Sequence, residues 1–170
     1  MPLRKVDDPP KIPKTRKKKA ESVLKAIPAP KPDKVEYICK LYFKYDKTEK
    51  KQYLIIRVET AAYFTSFKYE ITYDLIEKEN DIYIIITGLK ARMDLVPEVG
   101  PASCELRKDI VEGNIKINLA KQDGAINGAE CKLDFNNRKI ELIKEFMPPK
   151  KNNRVFSKFE VDNDNFSFAD

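Results

Sequence analysis

The chain of 170 residues contains no histidine and no tryptophan. Histidine is the commonest general base and metal ligand, and it is the usual partner that activates a serine or cysteine nucleophile. The five serines stand in none of the familiar nucleophile motifs, and no glycine-rich phosphate-binding motif occurs. These absences predict a protein that is not an enzyme and that has no catalytic residue, metal ion or cofactor.

Cysteine is scarce as well, with three widely spaced residues, Cys39, Cys104 and Cys131. An odd number does not suggest a secreted disulfide framework, and no closely spaced pair suggests zinc. Cys39 and Cys131 fall in predicted strands, where a free thiol is usually buried. We predict cysteines in the core, and a disulfide between two facing strands is the alternative.

Long apolar runs are missing, and none approaches the about 20 residues of a membrane-spanning helix. No secretory leader is visible near the start, and Asp7 and Asp8 argue against a mitochondrial transit peptide, which is usually poor in acidic residues. We therefore expect a cytoplasmic protein with no membrane span. The nucleus is the alternative compartment in a eukaryotic cell.

Acidic residues are rare at the start of the chain, where residues 1–34 hold eleven Lys or Arg and four Asp or Glu. This segment has a net charge of +7 and seven of the eleven prolines, whereas residues 35–170 have a net charge of −1. Repulsion between like charges and the fixed φ of proline predict a flexible basic arm over residues 1–34. Apolar residues at helical spacing predict a short helix within residues 17–27.

We expect this arm to contact an acidic partner through basic and apolar side chains. The basic residues are Lys14, Arg16, Lys17, Lys18 and Lys19, and the apolar ones on the helix are Val23, Leu24 and Ile27. A dense basic run binds acidic surfaces and releases counterions from nucleic acid. Simple solvation and a targeting signal remain alternatives for the run. The helix has two predicted sites, a groove on the partner or its own domain.

The rest of the chain has the period-two pattern of β-strands. The clearest stretch is residues 65–87, in which 67–75 alternate strictly and 82–86 are apolar on both faces. This pattern predicts a hairpin whose second strand is buried on both sides. Further hairpins are predicted from 35–45 with 52–60 and from 129–135 with 138–146, and further strands over 102–110, 113–119 and 155–161.

We predict that residues 35–161 form an antiparallel β-sandwich of immunoglobulin-like architecture. The strands are short and numerous, and turn residues recur about every ten positions. The unpatterned segment over residues 89–101 suits a crossing between two sheets. A closed antiparallel β-barrel is the runner-up.

Four aromatic residues are further candidates for an interface. Tyr42 and Phe64 fall opposite the main apolar rows, so we expect them to be exposed. Phe166 and Phe168 alternate within the acidic C-terminal tip, residues 162–170, and such a segment can add as a strand to a sheet edge. A frayed terminus is the alternative for this tip.

The charge split leads to two functional hypotheses. The first is a non-catalytic interaction or assembly protein, whose basic arm anchors a β domain to nucleic acid, an acidic protein or a larger complex. In that case deletion of residues 1–34 abolishes binding and spares thermal stability. The second is a binding module that recognises a protein or a small ligand through loops or a sheet edge, with the arm only a linker. Neither hypothesis specifies an oligomeric state.

Overall fold

The computed structural model describes residues 16–93 and 98–169. Its elements are, in chain order, α1 (Arg16–Lys25), β1 (Tyr37–Asp46), β2 (Lys51–Phe64), β3 (Lys68–Lys78), β4 (Asp81–Arg92), β5 (Gly100–Asp109), β6 (Gly113–Lys121), β7 (Ile126–Asp134), β8 (Lys139–Phe146), β9 (Ser157–Val161) and a 3₁₀ turn (Asn163–Asn165). The protein is therefore nearly all-β, as its sequence predicts.

The nine strands of the described residues form one sheet in the order β8-β7-β6-β4-β3-β5-β2-β1-β9. The sheet curls until it is nearly closed and barrel-shaped. Three pairs of neighbouring strands, β1–β9, β3–β5 and β4–β6, run parallel, and the other described neighbours run antiparallel. The fold is thus a mixed, nearly closed barrel.

The predicted antiparallel sandwich is therefore wrong, and the runner-up barrel is closer to the structure. The period of two tells which residues share a face, but it does not tell which strands are neighbours. The described strands form one sheet, so they provide no second sheet for the segment over residues 89–101 to reach; residues 94–97 of this segment lie outside the described residues. β4 continues to Arg92, and β5 begins at Gly100 and lies between β3 and β2 in the same sheet.

The predicted hairpins are confirmed. β3 pairs with β4, and β1 pairs with β2, both antiparallel. β7 pairs with β8 so that Cys131 lies opposite Leu142, and Leu133 lies opposite Ile140. Each of these pairs joins segments that are adjacent in sequence, so a short turn suffices to bring the strands together.

The core fills the inside of the barrel. Its residues come from alternate positions of the strands and from the segment before β9, and the largest fully buried ones facing it are Leu41, Phe43, Leu54, Ile56, Val58, Ile84, Ile117, Leu119, Leu133 and Phe156. β4 is buried on both faces, as predicted, because Ile84 lies inside the barrel and Ile85 lies beneath α1.

The cysteines are free thiols. Cys39 and Cys131 are buried in the core, as predicted, and Cys104 is half-buried. Burial raises the pKa of the Cys104 thiol and of the Cys131 thiol, each to about 12. It also raises the pKa of Cys39 well above its ordinary value. All three thiols are therefore protonated at neutral pH.

Candidate functional site

Helix α1 lies across the outside of the barrel, in contact with β3 and β6 and over Ile85 of β4. Ala20 is buried there, and Val23 and Leu24 pack on the small outer cluster that contains Ile85 and Ile126. Of the two predicted sites for this helix, the structure therefore shows its own domain. A helix of ten residues is marginal in water without such packing.

Polar contacts hold both ends of α1 to the barrel. At the first turn the Arg16 guanidinium forms an ion pair with Asp74 of β3. At the last turn Lys150 Nζ donates to the carbonyl oxygens of Leu24, at 3.1 Å, and Gly124, at 2.7 Å. A cation at this position satisfies orphan carbonyls and complements the helix dipole. The orientation of α1 is thus defined at both ends.

The chain after α1 also lies along the barrel. Gly124, at φ +88°, approaches Ala26 so closely that a Cβ atom there would lie 2.5 Å from the Ala26 carbonyl oxygen. Further on, the Val155 N–H donates to Asp33 Oδ1 at 2.8 Å. The described part of the predicted arm, from Arg16 onwards, is therefore in contact with the barrel. Lys14 lies outside the described residues.

The outer surface of α1 is basic. Lys17, Lys18, Lys19 and Lys25 are exposed, and none of them forms an ion pair with a described residue. Ile27, just beyond the helix, is also exposed. The structure therefore divides the predicted arm residues into two groups, because the basic side chains face solvent while Val23 and Leu24 face the barrel.

A buried ion-pair network lies below the segment that follows α1. Arg154 is 2 % exposed, and it donates to Glu36 Oε1 at 3.0 Å and to Asp123 Oδ2 at 3.1 Å. Burial raises the pKa of Glu36, but Lys121 and Arg154 outweigh this effect and hold the pKa below its ordinary value. Burial also raises the pKa of Asp123, but the Ala125 N–H, Arg154 and Lys121 outweigh this effect and hold the pKa below its ordinary value.

The outer face of β4, β6, β7 and β8 carries a groove next to α1. Its floor consists of two rungs. Each rung is a row of four residues, one from each strand, that lie opposite one another in neighbouring strands. The first rung is charged and consists of Asp81, Lys116, Glu130 and Lys144; the second consists of Tyr83, Asn118, Gly128 and Phe146. Leu24 of α1 and residues 147–149 complete the groove, which has a volume of about 620 Å³.

Gly128 determines the shape of the groove floor. A Cβ atom at this position would lie 2.5 Å from Phe146 Cζ and 2.7 Å from Asn118 Oδ1. Without a side chain there, the Phe146 ring can lie over the strand. Asn118 is 3 % exposed as a residue, and its Nδ2 donates to the Ile82 carbonyl at 3.4 Å. Asn118 Oδ1 accepts no hydrogen bond from the described residues.

The predicted exposure of Tyr42 is wrong, because only 5 % of the residue is accessible. Tyr42 does point to the outside of the barrel, but it lies opposite Ile55 and beside Arg57 and Glu105, whose long side chains cover it. Burial accordingly raises the pKa of the Tyr42 hydroxyl. Phe64 is half-buried, with its ring centroid 4.7 Å from that of Tyr69.

The C-terminal aromatics close one end of the barrel. The Ser167 N–H donates to the Phe43 carbonyl at 2.9 Å, which holds this segment beside β1. Phe166 and Phe168 are half-buried, and their ring centroids lie 5.6 Å and 6.0 Å from that of Phe43. These two candidate interface residues therefore contact their own core rather than extend from it as a free strand.

The opposite end of β3 and β4 carries several exposed apolar side chains, and we call this region the lip. Its side chains come from the ends of four strands and the adjoining loops, and they are Tyr63, Phe67, Leu89, Met93 and Val99. Met93 is 87 % exposed. Exposed apolar side chains on a charged surface are typical of an interaction site where they lie together.

Comparison with family models, with curated proteins and with solved structures finds no match for this chain. Within residues 16–93 and 98–169, no helix is long and apolar enough to cross a membrane. The same residues contain no group of three or more Cys, Asp or Glu side chains arranged to hold a metal ion.

Proposed function

We propose that this protein is a non-catalytic interaction protein whose barrel displays a basic helix to an acidic macromolecule, such as nucleic acid, an acidic protein or a larger complex. The observation that supports this most directly is α1, whose Lys17, Lys18, Lys19 and Lys25 lack ion-pair partners among the described residues. Elsewhere on the barrel many exposed lysines are paired, such as Lys68 with Glu98 and Lys158 with Glu160.

Packing of α1 on the barrel favours this function over simple solvation. A solvating arm needs no defined orientation, whereas α1 is held by Arg16 at one end and by Lys150 at the other. A helix that is already ordered pays less conformational entropy on binding than a disordered arm. The lysines also release counterions when they meet a polyanion.

The test compares two triple variants that remove the same charge. One changes Lys17, Lys18 and Lys19 to Gln; the control changes Lys47, Lys50 and Lys132, which are exposed and far from α1 in sequence. Binding of labelled single-stranded DNA and of polyglutamate is measured by fluorescence anisotropy over a range of salt concentrations. We expect the α1 variant to reduce the salt slope of the DNA affinity by about 2, since each phosphate contact contributes about 0.7.

The control variant should bind like the wild type. Equal losses in the two triple variants would show that only net charge matters, and no salt-dependent binding by the wild type would reject the proposal. Point substitutions are preferable to deletion of residues 1–34, because the deletion also removes Ala20 and Leu24 from the cluster around Ile85 and Ile126.

The lip favours a second candidate function, recognition of an extended segment of a protein partner by strand addition. In the described residues, β4 pairs with β6 only as far as Ile86, so residues 88–92 pair with β3 alone. This edge lies beside the exposed side chains of Leu89 and Met93. An edge with unpaired backbone groups and adjacent apolar side chains is suited to β-augmentation.

This second function is tested with peptides selected against the protein from a random library. A bound peptide should slow amide hydrogen exchange in residues 88–92, and the double variant Leu89→Asp, Met93→Asp should lose the binding. The triple α1 variant is the matched control and should retain it. Selected peptides that bind the double variant equally well would reject the lip as their site.

A further inference from the structure

We propose that the groove beside α1 holds an unpaired base of a single-stranded nucleic acid, while the lysines of α1 contact its phosphates. This inference rests on the proposed function and specifies which acidic macromolecule is bound. The basic run itself contains no interleaved aromatic residue that could stack on bases. In the structure, however, Tyr83 and Phe146 lie in the groove that Leu24 of α1 borders.

The size of the groove and its two aromatic side chains suit a flat aromatic group. Its volume of about 620 Å³ is within the usual range of ligand sites, about 300 to 1,000 Å³. Tyr83 and Phe146 stand on either side of Asn118 and Gly128 in the second rung. Rings in such positions offer stacking surfaces to a base, and every base can use them whatever its sequence.

The polar chemistry of the floor favours a base over an acidic side chain. Asn118 is nearly fully buried, and its Oδ1 has no donor among the described residues. Among the described residues the only fully buried side-chain polar atom without a partner is Arg154 Nε, so Asn118 Oδ1 reaches solvent at the groove floor and can accept a hydrogen bond from a ligand. A carboxylate offers only acceptors, whereas the edges of nucleobases carry N–H donors next to acceptors.

Charge determines on which side the phosphates lie. The first rung places Asp81 and Glu130 along one side of the groove, and Glu130 is 3.4 Å from Lys144, so this side is nearly neutral. The other side is bounded by α1, where Leu24 adjoins Lys25. A backbone that follows α1 meets the unpaired lysines and avoids the two carboxylates. The Lys78 ammonium, 5.8 Å from the Tyr83 ring centroid, adds a further positive charge.

Double-stranded nucleic acid does not fit this site. Its bases are stacked and paired, so they cannot stack on the rings of the groove without being extruded. Duplex nucleic acid therefore meets only the lysines, and we expect the groove to confer a preference for single strands.

The experiment measures the anisotropy of a labelled oligonucleotide of about 12 nucleotides. The first two probes, the normal strand and an abasic strand, carry the same number of phosphates, and the third, the duplex, carries about twice as many. A polyglutamate of similar charge is the fourth probe. We expect the wild type to bind the normal strand at least about tenfold more tightly than the abasic strand, since stacking of a single base typically has an effect of this size.

The variant Phe146→Leu keeps an apolar side chain and removes the ring, and we expect it to bind the normal strand about tenfold more weakly. Phe135→Leu, at a half-buried phenylalanine outside both the groove and the lip, is the matched control and should bind like the wild type. Thermal melting of both variants verifies folding. The comparison of normal and abasic strands needs no variant, so it remains decisive if Phe146→Leu fails to fold.

The possible results distinguish binding in the groove from binding to the basic helix alone. Equal binding of normal and abasic strands, together with a loss in the triple α1 variant, would overturn the groove site and leave the basic helix as the binding surface. Tighter binding of polyglutamate than of the strands would identify an acidic protein as the partner and overturn the inference. Absence of salt-dependent binding to all four probes would overturn both.

Discussion

Two side chains that face each other across a strand pair differ sharply in their burial. Ile84 of β4 lies opposite Leu75 of β3, but Ile84 is 1 % exposed and Leu75 is 37 % exposed. The difference arises where β3 meets β5, because these two strands share only the pair Glu70 and Ser103 in the described ladder. The barrel wall is therefore open beside Leu75 and continuous around Ile84.

We predict that Ile84→Ala lowers the free energy of unfolding by about 2–5 kcal/mol, because it creates a cavity in the core. Leu75→Ala, its cross-strand control, should cost less than about 1.5 kcal/mol. Ile84→Asp should not fold, whereas Lys68→Ala should stay within about 0.5 kcal/mol of the wild type. Urea unfolding measures these differences. Equal costs for the two alanine variants would contradict the packing described for β4.

The thiols provide a second test. Burial raises the pKa of Cys104 and of Cys131 to about 12 and also raises that of Cys39, so little reactive thiolate forms near about pH 8. The folded protein should react slowly with a thiol reagent, and all three cysteines should react quickly once the chain is unfolded in urea. Fast reaction of one equivalent in the folded state would show that a thiol is accessible.

Residue patterns allowed the inner faces of the strands to be predicted, but not the outer ones. The alternation of Cys39, Leu41 and Phe43 correctly predicts one buried row. Tyr42 belongs to the opposite row, and its burial depends on Arg57 and Glu105 from β2 and β5. Such cover by long charged side chains has no periodic signal, because the same residues serve equally well on an open surface.

Helix α1 shows how packing stabilises an element that is too short to be stable alone. Ala20 is the buried residue of its barrel face, and Ser22, two positions later, is exposed. Placing a carboxylate at each position separates the effect of charge from the effect of burial.

We predict that Ala20→Glu lowers the free energy of unfolding by about 1–3 kcal/mol, because it forces a charge against Ile76 and Ile85. Ser22→Glu adds the same charge on the solvent side and should change stability by less than about 0.5 kcal/mol. Thermal melting of both variants checks the prediction. If the two melt alike, α1 does not pack as described.

The same packing corrects the expected effect of truncation. Composition suggested that deletion of residues 1–34 would spare thermal stability, but it would uncover Ile76, Ile85 and Ile126 on the outside of the barrel. We therefore expect the truncated protein to melt at a lower temperature. Composition reports charge and proline content, and it does not show which apolar face a short helix will cover.

At the scale of single elements, the sequence pattern predicts the hairpins. It does not predict which strands lie beside each hairpin in the sheet. The parallel pairs β4–β6 and β1–β9 join segments that are far apart in the chain. The groove depends on such a pair, since Tyr83 and Asn118 become neighbours only when β4 lies beside β6. The basic half of the proposed site is visible in the sequence, whereas its aromatic half exists only after the sheet is assembled.

The molecule as a whole responds to pH through the network around Arg154. Glu36 and Asp123 have lowered pKa values in the folded protein, so their contribution to stability is fully present above the unfolded carboxyl pKa of about 4 and is lost as the pH falls through the folded pKa values. Protonation would leave the buried Arg154 without its carboxylate partners.

We predict that Glu36→Gln is less stable than the wild type at neutral pH, by about 1–3 kcal/mol, because it removes a charge from a buried ion pair. The gap should shrink below about pH 4, where the wild-type carboxylate also loses its charge. Urea unfolding of both proteins at several pH values measures it. A gap that stays constant down to about pH 3 would show that the charge of Glu36 does not stabilise the fold.

Closure of the barrel depends on one further buried side chain. β8 and β9 face each other without a ladder in the described residues, and Asn127 of β7 connects across this seam. Its Oδ1 accepts from the Phe156 N–H at 2.7 Å and the Ser157 N–H at 3.0 Å, and its Nδ2 donates to the Arg154 carbonyl at 2.8 Å. The amide thus substitutes for the hydrogen bonds that a paired strand would supply.

Asn127→Ala should therefore cost about 2–4 kcal/mol, because it leaves buried N–H groups without acceptors. Asn136→Ala, at an exposed turn, is the control and should cost less than about 0.5 kcal/mol. Amide hydrogen exchange should accelerate most in residues 155–159, where the seam opens. Uniform acceleration over the whole barrel would mean that opening of the seam and global unfolding are one event, and that the barrel is closed by its core rather than by Asn127.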